Sequence, residues 1–217
     1  VKVKVGRPDD VERLTEISRV FGPDVPLRLD ANMAWTVDEA VERLRALEGV
    51  PIASIEQPIA ADDRAGLREI RARTGIPVMA DEAVCSLADA QQLASEGAAD
   101  IFNVRVGKHG GVRAAHAIVE CARQAGIEVH LGTLVGESGV LSRVAEVFGR
   151  CVPGFACLDG KGQNRFLLDK DILRVPSDDA SNPAATASLD AVGLGVDVSP
   201  EAIDELRVGD PVQLRAA

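Results

Sequence analysis

Five charged residues recur along the chain at near-constant intervals, and each follows a short hydrophobic run that is typical of a β-strand. They are Lys4, Asp30, Glu56, Asp81 and Arg105, separated by 26, 26, 25 and 24 residues. Amphipathic stretches of helical period lie between these runs, and the alternation predicts βα units with a parallel sheet. A doubly wound sheet would scatter such charges, whereas a (β/α)₈ barrel brings all strand ends around one axial pocket. The spacing therefore predicts an α/β fold of the TIM-barrel type.

The predicted strands number seven, whereas a closed barrel of this type has eight. They cover Val1–Val5, Pro26–Asp30, Ile52–Glu56, Pro77–Ala80, Asp100–Arg105, Glu128–Gly132 and Phe155–Leu158. The predicted helices between them cover Pro8–Val20, Val37–Leu47, Asp63–Thr74, Leu87–Glu96, Gly111–Ala125 and Gly139–Phe148. We expect the absent strand to precede Val1 and the chain to be a piece of a longer protein.

The composition changes after Val175, which predicts three parts. Residues 1–175 carry the barrel, as its strands two to eight. Residues 176–188 are rich in Ser, Asp, Ala and Pro, which is typical of a linker or a disordered loop. Residues 189–217 include a predicted short helix near Pro200–Leu206 and are too few to form a core of their own. We therefore expect this tail to pack on the barrel or on an absent domain.

Charge and cysteine usage exclude several classes of protein. The 24 Lys and Arg against 34 Asp and Glu give a net charge of −10, which argues against nucleic acid or an anionic membrane as partner. No apolar run reaches the ~18–20 residues that a bilayer span needs. The four cysteines form no C-x-x-C pair, which indicates free thiols in a reducing compartment, and we expect a cytoplasmic protein.

Three acidic residues, Asp30, Glu56 and Asp81, end successive predicted strands. Three carboxylates facing one pocket repel one another, and a divalent cation would relieve that repulsion. Ligands that are all oxygen favour a hard ion such as Mg²⁺, with Mn²⁺ as an alternative. The other interpretation is three unrelated, solvated carboxylates at the starts of loops.

The first predicted strand carries Lys2 and Lys4 on one face, because strand side chains alternate. A partly desolvated lysine among cations can have its pKa lowered into the range of a general base. The other interpretation is an exposed edge strand on which lysines prevent aggregation.

The motifs at these positions resemble those of one known family, the enolase superfamily, in its muconate lactonizing enzyme and mandelate racemase-like subgroup. The resemblance covers Val1 to about Val175, and its motifs are Lys2-x-Lys4, Asp30-Ala31-Asn32, Glu56-Gln57-Pro58, Asp81-Glu82 and Lys108-His109-Gly110-Gly111. It implies an N-terminal capping domain and a first barrel strand, both missing from this sequence. It also implies that the tail segment Gly193–Val196 returns to that cap, and that the protein forms a homo-oligomer.

The resemblance implies a role for each motif residue. Asp30, Glu56 and Asp81 would bind Mg²⁺, on which the carboxylate of a small substrate would sit, so that loss of its α-proton gives a stabilised enediolate. Lys4 would be the acid/base, and Lys2 would be the neighbour that lowers the pKa of Lys4 and contacts the carboxylate.

Arg105 departs from the subgroup, which usually places a second lysine there. Arginine stays protonated in proteins, so Arg105 could stabilise an oxyanion or clamp a carboxylate but could not act as an ordinary base. Lys108, three residues on, is usually a companion residue and could substitute only if its loop folds inward. One-base chemistry is therefore favoured, and we expect a cycloisomerase of the muconate lactonizing type with Lys4 as acid/base.

Several alternatives remain open at this point. They are a racemase or epimerase of amino acids or dipeptides, a dehydratase of the succinylbenzoate synthase type, and a non-catalytic truncated barrel. Asn32, Lys108, His130 and Glu137 are further candidate substrate contacts, although a histidine within a strand is more often a partly buried core residue than a catalyst.

Overall fold

A computed structural model describes residues 1–159, 167–174 and 192–209 of the chain. The described residues divide between two compact units, the first comprising Val1–Gly132 and Gly154–Leu158 and the second drawn from Thr133–Pro153 and Asp159–Ala217. The predicted linker at 176–188 lies outside the described residues, as do the ends of the predicted tail.

The first unit contains a parallel sheet of seven strands whose order in space is their order in the chain, β1 to β7. The strands are β1 Lys2–Lys4, β2 Leu27–Asp30, β3 Ile52–Glu56, β4 Val78–Ala80, β5 Ile101–Val104, β6 Glu128–Leu131 and β7 Cys157–Leu158. The helices of this unit are α1 Asp10–Phe21, α2 Val37–Ala46, α3 Arg64–Thr74, α4 Leu87–Glu96 and α5 Val112–Ala125. This architecture confirms the predicted alternation and fold class.

The sheet of the first unit is curled, as one contact across it demonstrates. Arg28 on β2 places a guanidinium nitrogen 3.3 Å from Nδ1 of His130 on β6 and 3.2 Å from Sγ of Cys157 on β7. In a flat sheet, β2 and β6 would lie about 19 Å apart, four spacings of about 4.8 Å, beyond the reach of any side chain. The strands therefore bend around a common interior, as a barrel requires.

Local sequence signals explain where the helices begin and end. Thr36 and Ser86 each form a capping box with the acidic residue three positions later, at the starts of α2 and α4. Helices α3, α4 and α5 end at Gly75, Gly97 and Gly126, which adopt the left-handed conformation that closes a helix. Apolar faces of these helices are buried, so the strand ends rest on a packed scaffold.

The predicted boundaries differ from the observed ones chiefly at the sheet edge. β7 begins at Cys157, not at the predicted Phe155, and pairs with β6 alone among the described strands. Helix α1 begins at Asp10, two residues after the predicted start, because the Asp10 carboxylate accepts hydrogen bonds from the amides of Gly6 and Arg7 in the preceding turn.

The second unit contains α6 (Gly139–Cys151) and α7 (Pro200–Leu206), the latter confirming the predicted short helix. The backbones of Leu173 and Val198 form an antiparallel bridge. Arg143 is buried on α6 and donates from Nε to the carbonyl of Leu194 at 2.8 Å. These contacts tie the described part of the tail to α6 and to residues 171–174. In the described part of the chain, no helix is long and apolar enough to span a bilayer.

Candidate functional site

The register of the sheet brings the predicted charged residues to one edge. Lys4 pairs with Asp30, and Asp30 with Glu56, at the carboxyl ends of β1, β2 and β3. Asp81 follows β4 directly, and Arg105 follows β5. The three carboxylates are buried, so each needs a partner for its charge.

Lys2 lies between two of these carboxylates. Its Nζ is 2.9 Å from Oδ2 of Asp30 and 2.7 Å from Oε2 of Glu56. Burial lowers the pKa of Lys2, but attraction to Glu56 and hydrogen bonds to both carboxylates outweigh it and raise the pKa well above its ordinary value. These contacts therefore favour the protonated form of Lys2.

The two carboxylates beside Lys2 differ in how burial and charge balance. For Asp30, burial raises the pKa, but hydrogen bonds from Lys4 and Lys2 prevail and lower it. For Glu56, burial is the largest effect and raises the pKa, with Lys2 opposing it. Asp30 is therefore the more firmly ionised of the pair.

Lys4 lies at the solvent side of the same cluster, with 65% of its side chain exposed. Its Nζ donates to Oδ2 of Asp30 at 2.7 Å and to Oδ1 of Asn32. Asn32 in turn donates from Nδ2 to Glu82 at 3.0 Å. The Lys4 amine is thus oriented by two acceptors and remains open to a ligand.

Asp81 is paired on both of its carboxylate oxygens. Arg105 forms an ion pair with Oδ2 and lies 3.8 Å from Oε1 of Glu56. Lys108 donates to Oδ1 of Asp81 at 2.7 Å, to its carbonyl at 2.7 Å and to the carbonyl of Asn103 at 2.9 Å. Burial lowers the pKa of Lys108. The loop after β5 does fold inward, so Lys108 reaches the cluster beside Arg105.

Two polar residues of the site received no role from the sequence. Asn103, on β5, donates from Nδ2 to Oε1 of Glu56 at 2.6 Å. Gln57 is buried directly after Glu56 and accepts from the amides of Asp81 and Ala83. Asn103 could have been found as the residue two before Arg105, on the same strand face. Gln57 stood in the Glu56-Gln57-Pro58 motif without an assigned function.

His130 and Glu137, the two remaining candidate substrate contacts, each have polar partners of their own. His130 lies between Arg28 and Glu128, with Nε2 2.8 Å from a Glu128 oxygen. Because arginine only donates, Nδ1 accepts and Nε2 carries the proton. Glu137 belongs to the second unit, where it accepts from the Leu134 amide at 3.0 Å and the Ser142 hydroxyl at 2.8 Å.

The donor set fits a hard divalent ion in its chemistry. The candidate ligands are carboxylates of three neighbouring strand ends, and the buried Oδ1 of Asn103 accepts no hydrogen bond from any described residue. As they stand, no three His, Cys, Asp or Glu side chains among the described residues are arranged to hold a metal ion. The ion pairs explain this, because Lys2 lies between Asp30 and Glu56 and Arg105 between Glu56 and Asp81.

Comparison with known proteins places this site in a family. The family model described as enolase C-terminal domain-like matches residues 1–202. The chain therefore belongs to the enolase superfamily, in the group that includes muconate lactonizing enzymes and dipeptide epimerases, as the motif resemblance implied.

Individual relatives differ in activity. The chain is 38% identical over 140 residues to the L-Ala-D/L-Glu epimerase of Bacillus subtilis, covering 62% of this chain and 38% of that protein. It is 30% identical over 212 residues to muconate cycloisomerase 1 of Acinetobacter baylyi, covering 95% and 55%. It also resembles the dipeptide epimerase of Enterococcus faecalis complexed with Mg and L-Leu-L-Tyr, with a TM-score of 0.74 and 30% identity over 80% of this chain and 49% of the other. The chain thus spans about half the length of the relatives it matches.

Proposed function

We propose that this chain is the barrel portion of a Mg²⁺-dependent cycloisomerase of the muconate lactonizing type, acting on a small carboxylate with Lys4 as acid/base. The observation that carries the proposal is the asymmetry of the site. The amine of Lys4 forms an ion pair with Asp30, and the guanidinium of Arg105, which stays protonated in proteins, forms one with Asp81. One side of the pocket can therefore move a proton, while Arg105 cannot accept one.

The residues of the chain divide the work in this proposal. Asp30, Glu56 and Asp81 would hold Mg²⁺, which, when bound, supplies a Lewis acid for the substrate carboxylate. Lys2 stays protonated and would attract that carboxylate electrostatically. Lys4 would hold the proton at Nζ and exchange it with the α-carbon. Arg105 would face negative charge on the opposite side.

A cycloisomerisation needs no second base. In lactone formation the substrate's own carboxylate oxygen bonds to an alkene carbon and Lys4 gives its proton to the neighbouring α-carbon. In the reverse direction Lys4 takes that proton as the carbon–oxygen bond breaks. Both directions balance with one proton-transferring amine. The dehydratase alternative uses the same proton removal followed by loss of water.

Epimerisation is a second candidate, favoured by a specific contact. Lys108 Nζ reaches Asp81 beside Arg105, which puts a second amine on the side opposite Lys4. Two amines on opposite faces of a carbon are what inversion of its configuration requires, and two of the relatives above are epimerases.

Hydrogen exchange in D₂O separates the two candidates in the full-length protein. With one base, we expect deuterium to enter the α-position of only one enantiomer of a substrate analogue, and cis,cis-muconate to be lactonised. Exchange in both enantiomers, with interconversion of dipeptides, would overturn the cycloisomerase proposal in favour of the epimerase. Absence of turnover and exchange in the full-length protein would leave a non-catalytic barrel.

We also propose the wider setting of the protein. A capping segment outside this sequence would complete the site, consistent with relatives about twice as long. Residues 1–175 would form the barrel and 189–217 a tail that contacts the barrel or the cap. The four cysteines are free, which is consistent with a cytoplasmic location, and we expect a homo-oligomer. Size-exclusion chromatography with light scattering on the full-length protein tests the last point.

A further inference from the structure

Gln57 is a polar residue at the centre of the site that none of the steps above uses. It follows the last residue of β3, and its side chain is completely buried. Its φ angle of 37° lies in the left-handed region, which costs a residue with a Cβ roughly 1 kcal/mol. A strained backbone persists only where surrounding contacts hold it in place.

Those contacts join Gln57 to three strand ends. Its Oε1 accepts from the amides of Asp81 at 3.1 Å and Ala83 at 3.0 Å, beyond β4. Its Nε2 donates to the carbonyl of Ile59 at 2.9 Å. Its backbone carbonyl accepts from the amide of Met33, beyond β2, at 2.8 Å. The side-chain oxygen accepts two hydrogen bonds and the side-chain nitrogen donates one, so both polar ends of the amide are held.

Gln57 connects two candidate metal ligands, Glu56 and Asp81, through one peptide bond and one hydrogen bond. Glu56 is its neighbour in the chain, and the amide that it binds belongs to Asp81 itself. A shift of the loop after β4 would move the Asp81 carboxylate relative to Glu56, and the two hydrogen bonds to Oε1 oppose such a shift. The hydrogen-bonded contact is buried, so water does not compete for it.

We propose that Gln57 is a positioning residue that fixes Asp81 against Glu56 and thereby makes the site selective for Mg²⁺ over Ca²⁺. This rests on the proposed function, in which these carboxylates hold a divalent ion. Mg²⁺ demands near-ideal octahedral geometry with oxygens at about 2.0–2.1 Å, whereas Ca²⁺ accepts irregular sets at about 2.3–2.6 Å. A fixed spacing therefore favours Mg²⁺, and a loosened one penalises Mg²⁺ more.

The test is the ratio of the two dissociation constants, measured by calorimetry with MgCl₂ and CaCl₂ alone on the full-length protein. Gln57→Met keeps the length of the side chain and removes its hydrogen bonds. We expect it to weaken Mg²⁺ binding by at least 10-fold and Ca²⁺ binding by no more than about threefold. If that variant does not fold, Gln57→Asn, one methylene too short to span the loops, is measured with the same expectation.

Two further variants separate positioning from mere stability. Gln57→Glu loses the hydrogen bond to the Ile59 carbonyl but keeps the acceptor for both amides, which is the part of the side chain that holds the Asp81 loop. We therefore expect the Mg²⁺ to Ca²⁺ ratio to return to within about threefold of the wild-type ratio, whatever its added charge does to both ions. Leu93→Ala creates a cavity in the buried core on α4 and lowers stability without changing any charged or hydrogen-bonding side chain. We expect it to leave both dissociation constants within about twofold.

The outcomes distinguish this inference from the function on which it rests. If the wild-type protein binds Mg²⁺ and Gln57→Met keeps the wild-type ratio, Gln57 does not position the ligands and only the inference fails. If Leu93→Ala changes the ratio as much as Gln57→Met, the effect is one of stability and the inference also fails. If the wild-type protein binds neither ion, the proposed metal site itself is wrong.

Discussion

The two ends of the carboxylate cluster differ in how far their cationic partners are exposed to solvent. At the β1–β2 end, Asp30 is held by Lys2 and by the largely exposed Lys4. At the β4–β5 end, Asp81 is held by Arg105 and Lys108, whose side chains are only 20% and 13% exposed. The difference in exposure underlies the proposal that Lys4 carries a proton on one side while Arg105 stays charged on the other.

Replacement of Lys4 gives the largest effect that this comparison predicts. Because Lys4 is the proposed proton carrier, Lys4→Ala should lower turnover by about 10²–10⁴-fold while Mg²⁺ binding persists. The measurement is kcat on an identified substrate, with Mg²⁺ affinity from calorimetry as the control. Near-wild-type turnover by this variant would show that the acid/base is another group.

Asp81→Asn tests the β4–β5 end of the cluster through its effect on the free energy of unfolding. The change leaves Arg105 and Lys108 buried without their carboxylate, and loss of one partner of a buried pair costs about 3–5 kcal/mol. Urea denaturation in the presence of EDTA measures the free energy of unfolding. Glu69→Gln, which breaks the exposed pair with Arg73, is the matched control and should cost no more than about 1 kcal/mol. Equal losses in the two variants would contradict the difference in burial.

Arg105→Lys would place a lysine amine at the β4–β5 end of the cluster, as Lys4 already does at the β1–β2 end. If Arg105 alone prevents two-sided proton transfer, this variant should gain α-hydrogen exchange in the second enantiomer, roughly 10-fold or more above wild type. Arg105→Met removes the charge without adding an amine and should show no such gain. Exchange in the second enantiomer by Arg105→Met would instead identify Lys108 as a base.

His109, beside Lys108 at the β4–β5 end, makes the stability of the protein sensitive to acid. Burial lowers its pKa to about 4 from an ordinary value of 6.5. Between these values the unfolded chain binds more protons, so the stability that neutral His109 contributes is present above about pH 6.5 and is lost as pH falls toward 4.

Acidification from about pH 7 to about pH 5 should therefore cost the wild type roughly 1–2 kcal/mol more unfolding free energy than it costs His109→Gln. Urea titrations at the two pH values provide the measurement. His116→Gln, at an exposed position on α5, should behave like the wild type. A pH response that is unchanged by His109→Gln would assign it to other groups.

The sequence predicted those features that depend on repetition. Strand order, helix positions and the gathering of Asp30, Glu56 and Asp81 all follow from a βα period of about 25 residues, because each unit repeats the same geometry. The ion pairs of Asp81 could not be predicted from this period. Lys108 reaches Asp81 from the loop after β5, and a repeating pattern does not encode the conformation of a loop. The role of Gln57 was equally hidden, since a buried amide is identified only by the groups that surround it.

The left-handed backbone at Asn32, Met33 and Gln57 has a consequence for engineering. Selection for heat resistance alone would favour glycine at the exposed Asn32 and Met33, because glycine relieves the torsional penalty without a steric cost. At Gln57 glycine would instead leave two buried amides without their acceptor. At Asn32 that gain would remove the side-chain oxygen that accepts from the Lys4 amine. Libraries intended to alter substrate range should therefore keep Asn32 and Gln57 constant, so that a gain in thermal stability does not come at the expense of the site.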